Sequence, residues 1–212
     1  MPSVTRKRQG SRAERRDEMR GRLLAVVERL LGEGESFTEI SVERLVSEAG
    51  ISRSTFYVYF EDKGDLLSAW FGDITSEIAA AAAGWWQLGP DVTRDAVHEA
   101  LDRVVRTYRP HTTLMAAMYD TASYDAGVRD LTDAMMTSNV AGLRKHIRTG
   151  QQQGFITERL NAEETAAWLT WMAERGFHRL VRAASDEDVD RLIDAYTDIV
   201  WFTLYAPAAS GA

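Results

Sequence analysis

"SEAGISRSTFYVYFEDKGDLL", residues 47–67, gathers three hydroxyl residues, two tyrosines and two phenylalanines into the ten positions 51–60, with a single charge, Arg53, among them. A helix that needed only to pack would be built from leucine and alanine. With Phe56 at zero and 100° per residue, Phe60 falls beside it, while Ser54 and Val58 turn the opposite way, flanked by Thr55 and Tyr57. Phe56 and Phe60 are expected inside, and Arg53 and Tyr59 edge the outward face. Hydroxyls bond base edges and phosphates, the methyls of Thr55 and Val58 suit thymine methyls, and tyrosine hydroxyls suit phosphate oxygens. That face fits a nucleic-acid groove.

The flanking residues frame it. Ser41 is placed to cap a helix running through "VERLVSEA" to Gly50, and Ser52 to cap the next. Ile40 with Leu45, and Ile51 with Phe56, have hydrophobic-staple spacing. Two short helices joined by "GIS" make a helix-turn-helix, in which the second helix enters the major groove and the first braces it across the backbone. The helix starts at Ser41 and Asp62 offer free amides to phosphate. Lys63 lies in the first turn of the following helix, against its dipole, which points to a phosphate partner.

Outward from this motif the chain reads as helix throughout. Leu23, Val26, Val27, Leu30 and Leu31 mark one face of a first helix ended by "GEGE". Asp62 and Asp65 open a long helix with the stripe Leu67, Trp70, Phe71, Ile74, Ile78, Ala82 and Trp85, stopping near "LGPD". Further helices are expected at about 92–109, 111–122, 125–149 (before a break at "GQQQGF"), 162–184 and from Ser185 or Asp186 onward. No alternating run argues for a strand. The fold class is all-α: a three-helix helix-turn-helix domain joined by a long helix to an all-helical body, about nine helices in all. The divisions are a basic flexible arm at 1–16, a DNA-binding domain at 17–66, a ligand-binding and dimerisation domain at 67–205 and a tail at 206–212.

Charge distribution agrees with this division. The net charge is −7, yet residues 1–22 carry eight basic residues against three acids, and the whole excess of acid follows Leu67. The absence of cysteine excludes disulfides, thiolate metal sites and cysteine nucleophiles, and suits a reducing cytoplasm. No signal-peptide pattern and no membrane-length apolar run are read, so no membrane partner is expected. His98, His111, His146 and His178 lack zinc spacing, and no nucleophile-elbow, phosphate-loop or zinc-protease motif is found. No metal, no cofactor and no enzyme activity are expected.

"AGISRSTFYVYFEDKGDLL", with the preceding "FTEISVERLVSE", resembles the DNA-binding signature of the TetR family of bacterial transcriptional regulators, over about residues 17–70. The resemblance implies that Arg53, Ser54 and Thr55 face bases and that Tyr57, Tyr59 and Lys63 grip phosphates. It also implies that an N-terminal basic arm with Arg12, Arg15 and Arg16 enters the adjacent minor groove. "YVYF", "WMAERGF" and "VWFTLY" further resemble the EthR-like subgroup, in which the helix equivalent to 162–184 brings asparagines into a long apolar tunnel. The matching positions here are Thr170 and Ala173.

Most of the six tryptophans and seven methionines lie in the body. Bulky aromatics and flexible thioethers line adaptable cavities, and the residues expected to line a ligand site are Met115, Met118, Tyr119, Trp171, Phe177 and Trp201. Glu174, Arg175 and His178 form a helical polar cluster that could face a ligand, a dimer rim or one another. Helices eight and nine carry Trp168, Leu169, Ile193, Val200 and Phe202 on more than one face, as expected for a homodimer. The expected function is a repressor released from a pseudo-palindromic double-stranded DNA operator by a small apolar effector. The alternatives are an activator or a ligand-independent regulator of the same fold, or an all-helical enzyme or scaffold.

Overall fold

The computed structural model describes residues 12–206, which contain nine α-helices and two 3-10 turns and, among the described residues, no strand. Contacts divide the chain into two units that part after Trp70. The division falls four residues beyond the boundary expected from sequence because Trp70 closes the first core. It is 2% exposed, and its indole N–H donates to the Arg20 carbonyl at 3.3 Å.

In the first unit α1 (Arg12–Gly32), α2 (Val42–Glu48), α3 (Arg53–Tyr59) and the first two turns of α4 (Lys63–Trp86) surround Leu23, Val27, Leu30, Ile40, Leu45, Phe56, Phe60 and Leu66, all buried. The flexible arm expected at 1–16 is corrected in part: residues 12–16 are the first turns of α1, where "RAERR" supplies good helix formers and Glu14 complements the helix dipole. Residues 1–11 and 207–212 lie outside the described residues, so only Ala206 of the tail is described.

The turn between α2 and α3 is built as its residues require. Gly50 adopts φ +63°; its N–H donates to Ser47 O at 3.2 Å and that of Ile51 to Val46 O at 2.9 Å, the two bonds of a Schellman cap. Arg22 of α1 adds a guanidinium bond to the Ala49 carbonyl at 2.5 Å. Gly50→Ala, which forces a Cβ into a left-handed position, is expected to lower stability by about 1 kcal/mol in thermal or urea unfolding, without altering the helix content of the folded state.

The second unit contains the rest of α4, then α5 (Arg94–Tyr108), α6 (Thr112–Ala122), α7 (Ala126–Gln153), α8 (Ala162–Arg179) and α9 (Asp186–Leu204). Here α7 packs on α6 and α8, and α5 on α9. Ion pairs cross the α5–α9 seam: Arg94 bridges Asp194 and Asp198 at 2.5 and 2.7 Å, and Arg106 joins Asp190 at 2.7 Å while also pairing with Asp102 one turn back on its own helix. The break expected at "GQQQGF" falls inside that stretch, but the helix runs four residues past 149. Gly150 is helical, and its missing side chain makes room for Ile156, whose atoms would stand 2.6 Å from a Cβ there. The helix ends at Gly154, φ +80°, in a second Schellman cap.

Candidate nucleic-acid interface and ligand cavity

α3 is positioned by its own cap. Ser52 Oγ accepts the Thr55 N–H at 3.0 Å, and its hydroxyl also bonds those of Ser54 and Thr55 at 2.8 and 2.7 Å. Phe56 and Phe60 are buried with ring centroids 5.5 Å apart. The opposite face is open: Ser54 and Arg53 are exposed, Tyr57 is 46% and Val58 56% exposed, and Thr55 and Tyr59 are half-buried at its edges. Arg53 pairs with Glu43 and lies 5.6 Å above the Tyr57 ring, and these partners hold its pKa above the ordinary arginine value. Such exposed pairs are worth little, so a base or phosphate can displace them.

Ser41 caps α2 as expected, its exposed side-chain oxygen accepting the Arg44 N–H at 3.1 Å, which engages one of the amides at that helix start. Lys63 departs from the expectation drawn from the sequence and does not stand free for a phosphate: its ammonium donates to the carbonyls of Phe37, Thr38 and Ile40 at 2.9, 3.2 and 2.5 Å and lies 5.1 Å above the Phe37 ring. Burial lowers its pKa from the ordinary lysine value. The carbonyls that close the turn before α2, rather than a missing phosphate, explain a cation held against its own helix dipole. Of the arginines assigned to a minor-groove arm, Arg12, Arg15 and Arg16 lie on α1, and the Arg16 guanidinium stands 5.4 Å over the Phe60 ring.

The second unit holds a cavity of about 100 Å³ lined by α4, α5, α6, α7 and α8, with Tyr196 from α9. Its wall is mostly apolar, with Ile78, Trp85 and Trp86 from α4, Leu101 and Val104 from α5, and Met135 and Met136 from α7. Ile78 and Ala82 are half-buried although they continue the core stripe of α4, because they border this space. Three of the six expected lining residues are present: Met115, Tyr119 and Phe177. Met118 is instead sealed in the core at 0% exposure. Trp201 packs on the core beside Tyr205, ring centroids 5.6 Å apart, and Trp171, 49% exposed, faces an outer groove.

Thr170 and Ala173, the positions matched to tunnel asparagines, both line the cavity, as does Glu174. Sequence reasoning missed Trp86, Tyr108, Met135 and Met136. The thioethers carried a signal in composition, but only the fold distinguishes them from Met118. Burial raises the pKa of Tyr119, as does the nearby Glu174 charge, and does the same for Tyr108.

The outer faces of α8 and α9 expose Trp168, Trp171, Met172, Leu180, Ile199 and Phe202, with Trp168 at 76% and Phe202 at 65%. Leu169, Ile193 and Val200, counted from sequence with the pairing surface, are buried in the unit's own core. Among the described residues no cluster could hold a metal ion, and no helix is long and apolar enough to cross a membrane.

Residues 97–206 match the family "Transcriptional regulator EthR, C-terminal domain", and residues 24–70 match "Bacterial regulatory proteins, tetR family". The HTH-type transcriptional regulator EthR of Mycolicibacterium smegmatis is 26% identical over 187 residues, covering 87% of this chain and 84% of that protein. EthR of Mycobacterium tuberculosis is 27% identical over 154 residues, 72% of this chain and 71% of its own length. Among solved structures, a TetR-family transcriptional regulator from Syntrophomonas wolfei superposes with TM-score 0.69 at 15% identity, over 92% of this chain and 99% of that one. PfmR, a TetR-family regulator from Thermus thermophilus, superposes with TM-score 0.68 at 17% identity, over 84% and 96% of the two chains.

Proposed function

The chain belongs to the TetR family of DNA-binding transcriptional regulators and carries an EthR-type C-terminal domain, and from that premise we propose that it is a cytoplasmic homodimeric repressor released from a pseudo-palindromic operator by a small, mainly apolar effector. The observation that carries this reading is a property of one helix. α4 begins with the turn that follows α3, and its last turns, through Ile78, Ala82, Trp85 and Trp86, form a wall of the cavity. Effector binding that shifts those side chains acts on the helix that leads out of the DNA-binding motif.

The cavity is narrow for a ligand site, since such sites usually enclose several hundred Å³. An effector therefore binds by opening it, with Met115, Met135 and Met136 as the most adaptable walls. That is the differential affinity a switch requires: a ligand that fits an expanded state better shifts the population toward it, and about a 10⁴-fold preference moves a 1:99 balance to 99:1. In the DNA-competent state two α3 helices about 34–36 Å apart match successive major grooves.

Selection of bound duplexes from a random pool tests the reading: a palindrome is expected, and retention of no sequence at low salt would defeat it. On the selected site, Tyr57→Phe should weaken binding about equally for all sequences, whereas Thr55→Ala should change the preference at single base pairs. Gel-shift titrations on matched and scrambled sites separate the two effects. A reporter fused to the operator distinguishes repression from activation.

A further inference from the structure

Building on the reading of the body cavity as the effector site, we propose that its effector is a lipophilic amine, an apolar molecule whose protonated nitrogen seats against Glu174. The cavity is apolar except for a few polar groups, and three of these have atoms that are buried without a hydrogen-bond partner: Glu174 Oε2, Tyr108 Oη and Trp86 Nε1. Buried polar groups are almost always partnered, and an unanswered carboxylate is the most costly kind to leave so. A pure hydrocarbon filling this space would leave all three atoms unanswered.

Glu174 decides the sign of the missing partner. Its side chain is 8% exposed. The Arg175 Nε stands 3.8 Å from Oε2, beyond hydrogen-bonding reach, on a side chain that is 62% exposed. Tyr119, on α6, has its pKa raised first by burial and then by the carboxylate's charge and a hydrogen bond to it, which leaves Oε2 as the oxygen without a partner, and burial lowers the pKa of His178, one turn further along α8. Among the described residues no lysine or arginine lines the cavity. A bound carboxylate or phosphate would meet like charge there, and a hydroxyl would answer Glu174 with a single hydrogen bond that leaves the buried charge uncompensated. An ammonium group offers several N–H donors and an opposite charge in a low-dielectric site, so it both bonds and neutralises the carboxylate. Trp86 N–H and the Tyr108 hydroxyl remain as donors for an ether or carbonyl oxygen further along such a molecule.

Three probes of equal chain length isolate the head group: octylamine, 1-octanol and octanoate, titrated into the full chain at pH 7 with calorimetry and tryptophan fluorescence as readouts. Octylamine should bind at least tenfold more tightly than 1-octanol, and octanoate more weakly than either. Glu174→Gln should bring octylamine down to the level of 1-octanol while leaving 1-octanol unchanged, with circular dichroism confirming that the variant folds. Equal affinities for amine and alcohol, or a preference that survives Glu174→Gln, would overturn the assignment. Ala173→Trp, which fills the cavity, separates the two levels of the claim. If 1-octanol binds and this variant abolishes binding while the amine shows no advantage, the cavity stands as the effector site and the amine falls. If no probe binds, or the filled variant binds as before, both fall.

Discussion

A chain carrying Trp168→Glu and Phe202→Glu is expected to fold normally, to sediment as a monomer, and to shift a selected operator only at concentrations at least about a hundredfold above the unaltered protein. The folding half of the expectation rests on exposure: Trp168 and Phe202 are 76% and 65% exposed, so neither is needed by the core of its own unit, and surface changes of this kind cost roughly 0.5 kcal/mol or less. The association half rests on what surrounds them. Trp168, Trp171 and Met172 follow one another along α8, Leu180 caps its C-terminus, and Ile199 and Phe202 lie on α9. Five large apolar side chains exposed on two helices, with Leu180 just past the end of α8, are far more than scattered surface hydrophobes need, and aromatic anchors at the centre of such a patch typically contribute about 2 kcal/mol or more each to association. Two glutamates would place four like charges across a two-fold interface. A monomer presents one α3 to the duplex instead of two, so the loss in operator affinity follows directly. Sedimentation velocity together with gel shift checks both halves, and a double variant that remains dimeric with full affinity would move the pairing surface elsewhere.

What sequence alone made legible was local. The caps at Ser41 and Ser52, the left-handed Gly50 and the Phe56–Phe60 spacing act within a few residues of themselves, and each took the place its chemistry dictates. What sequence left hidden depended on partners distant in the chain. Lys63 is oriented by backbone carbonyls more than twenty residues upstream, neutral acceptors that an argument from the helix dipole alone has no means of finding. Gly150 looks like a helix breaker until Ile156 folds back over it. On α8 the difficulty is angular. Thr170 lines the cavity, Leu169 is buried and lines both cavity and outer groove, and Trp168 and Trp171 face the groove, though all four are neighbours in sequence. A helix with apolar residues on several faces gives periodicity no means of deciding which face meets a cavity, a core or another chain.

Tyr205→Phe is expected to destabilise the body by about 2–6 kcal/mol, a large effect for the removal of one oxygen atom. The Tyr205 hydroxyl accepts the Trp85 indole N–H at 3.0 Å and lies 2.7 Å from His146 Nε2, while His146 Nδ1 lies 3.1 Å from the Trp86 carbonyl. Only one assignment of protons satisfies every member. Nδ1–H donates to the carbonyl, Nε2 accepts from the tyrosine, and the tyrosine oxygen accepts from Trp85, so the imidazole is neutral. Phenylalanine would leave both Trp85 Nε1 and His146 Nε2 buried without a partner, in a cluster where the Phe155 and Tyr205 rings are stacked at 6.4 Å. Each orphaned group costs about 1–3 kcal/mol. The same chain of bonds sets a pH dependence. Burial lowers the pKa of His146 below the ordinary histidine value of 6.5, so as pH falls below about 6.5 the unfolded chain takes up a proton that the folded chain refuses. The contribution of this residue to stability is therefore complete above neutrality, declines as pH falls through 6.5, and stops declining only below the depressed folded pKa. His178, whose pKa burial also lowers, adds a change of the same sign. Urea unfolding between pH 8 and pH 5 should show falling midpoints for the unaltered protein and a shallower fall for His146→Gln. A midpoint for Tyr205→Phe equal to that of the unaltered protein would show that the buried hydroxyl does not hold these three side chains together.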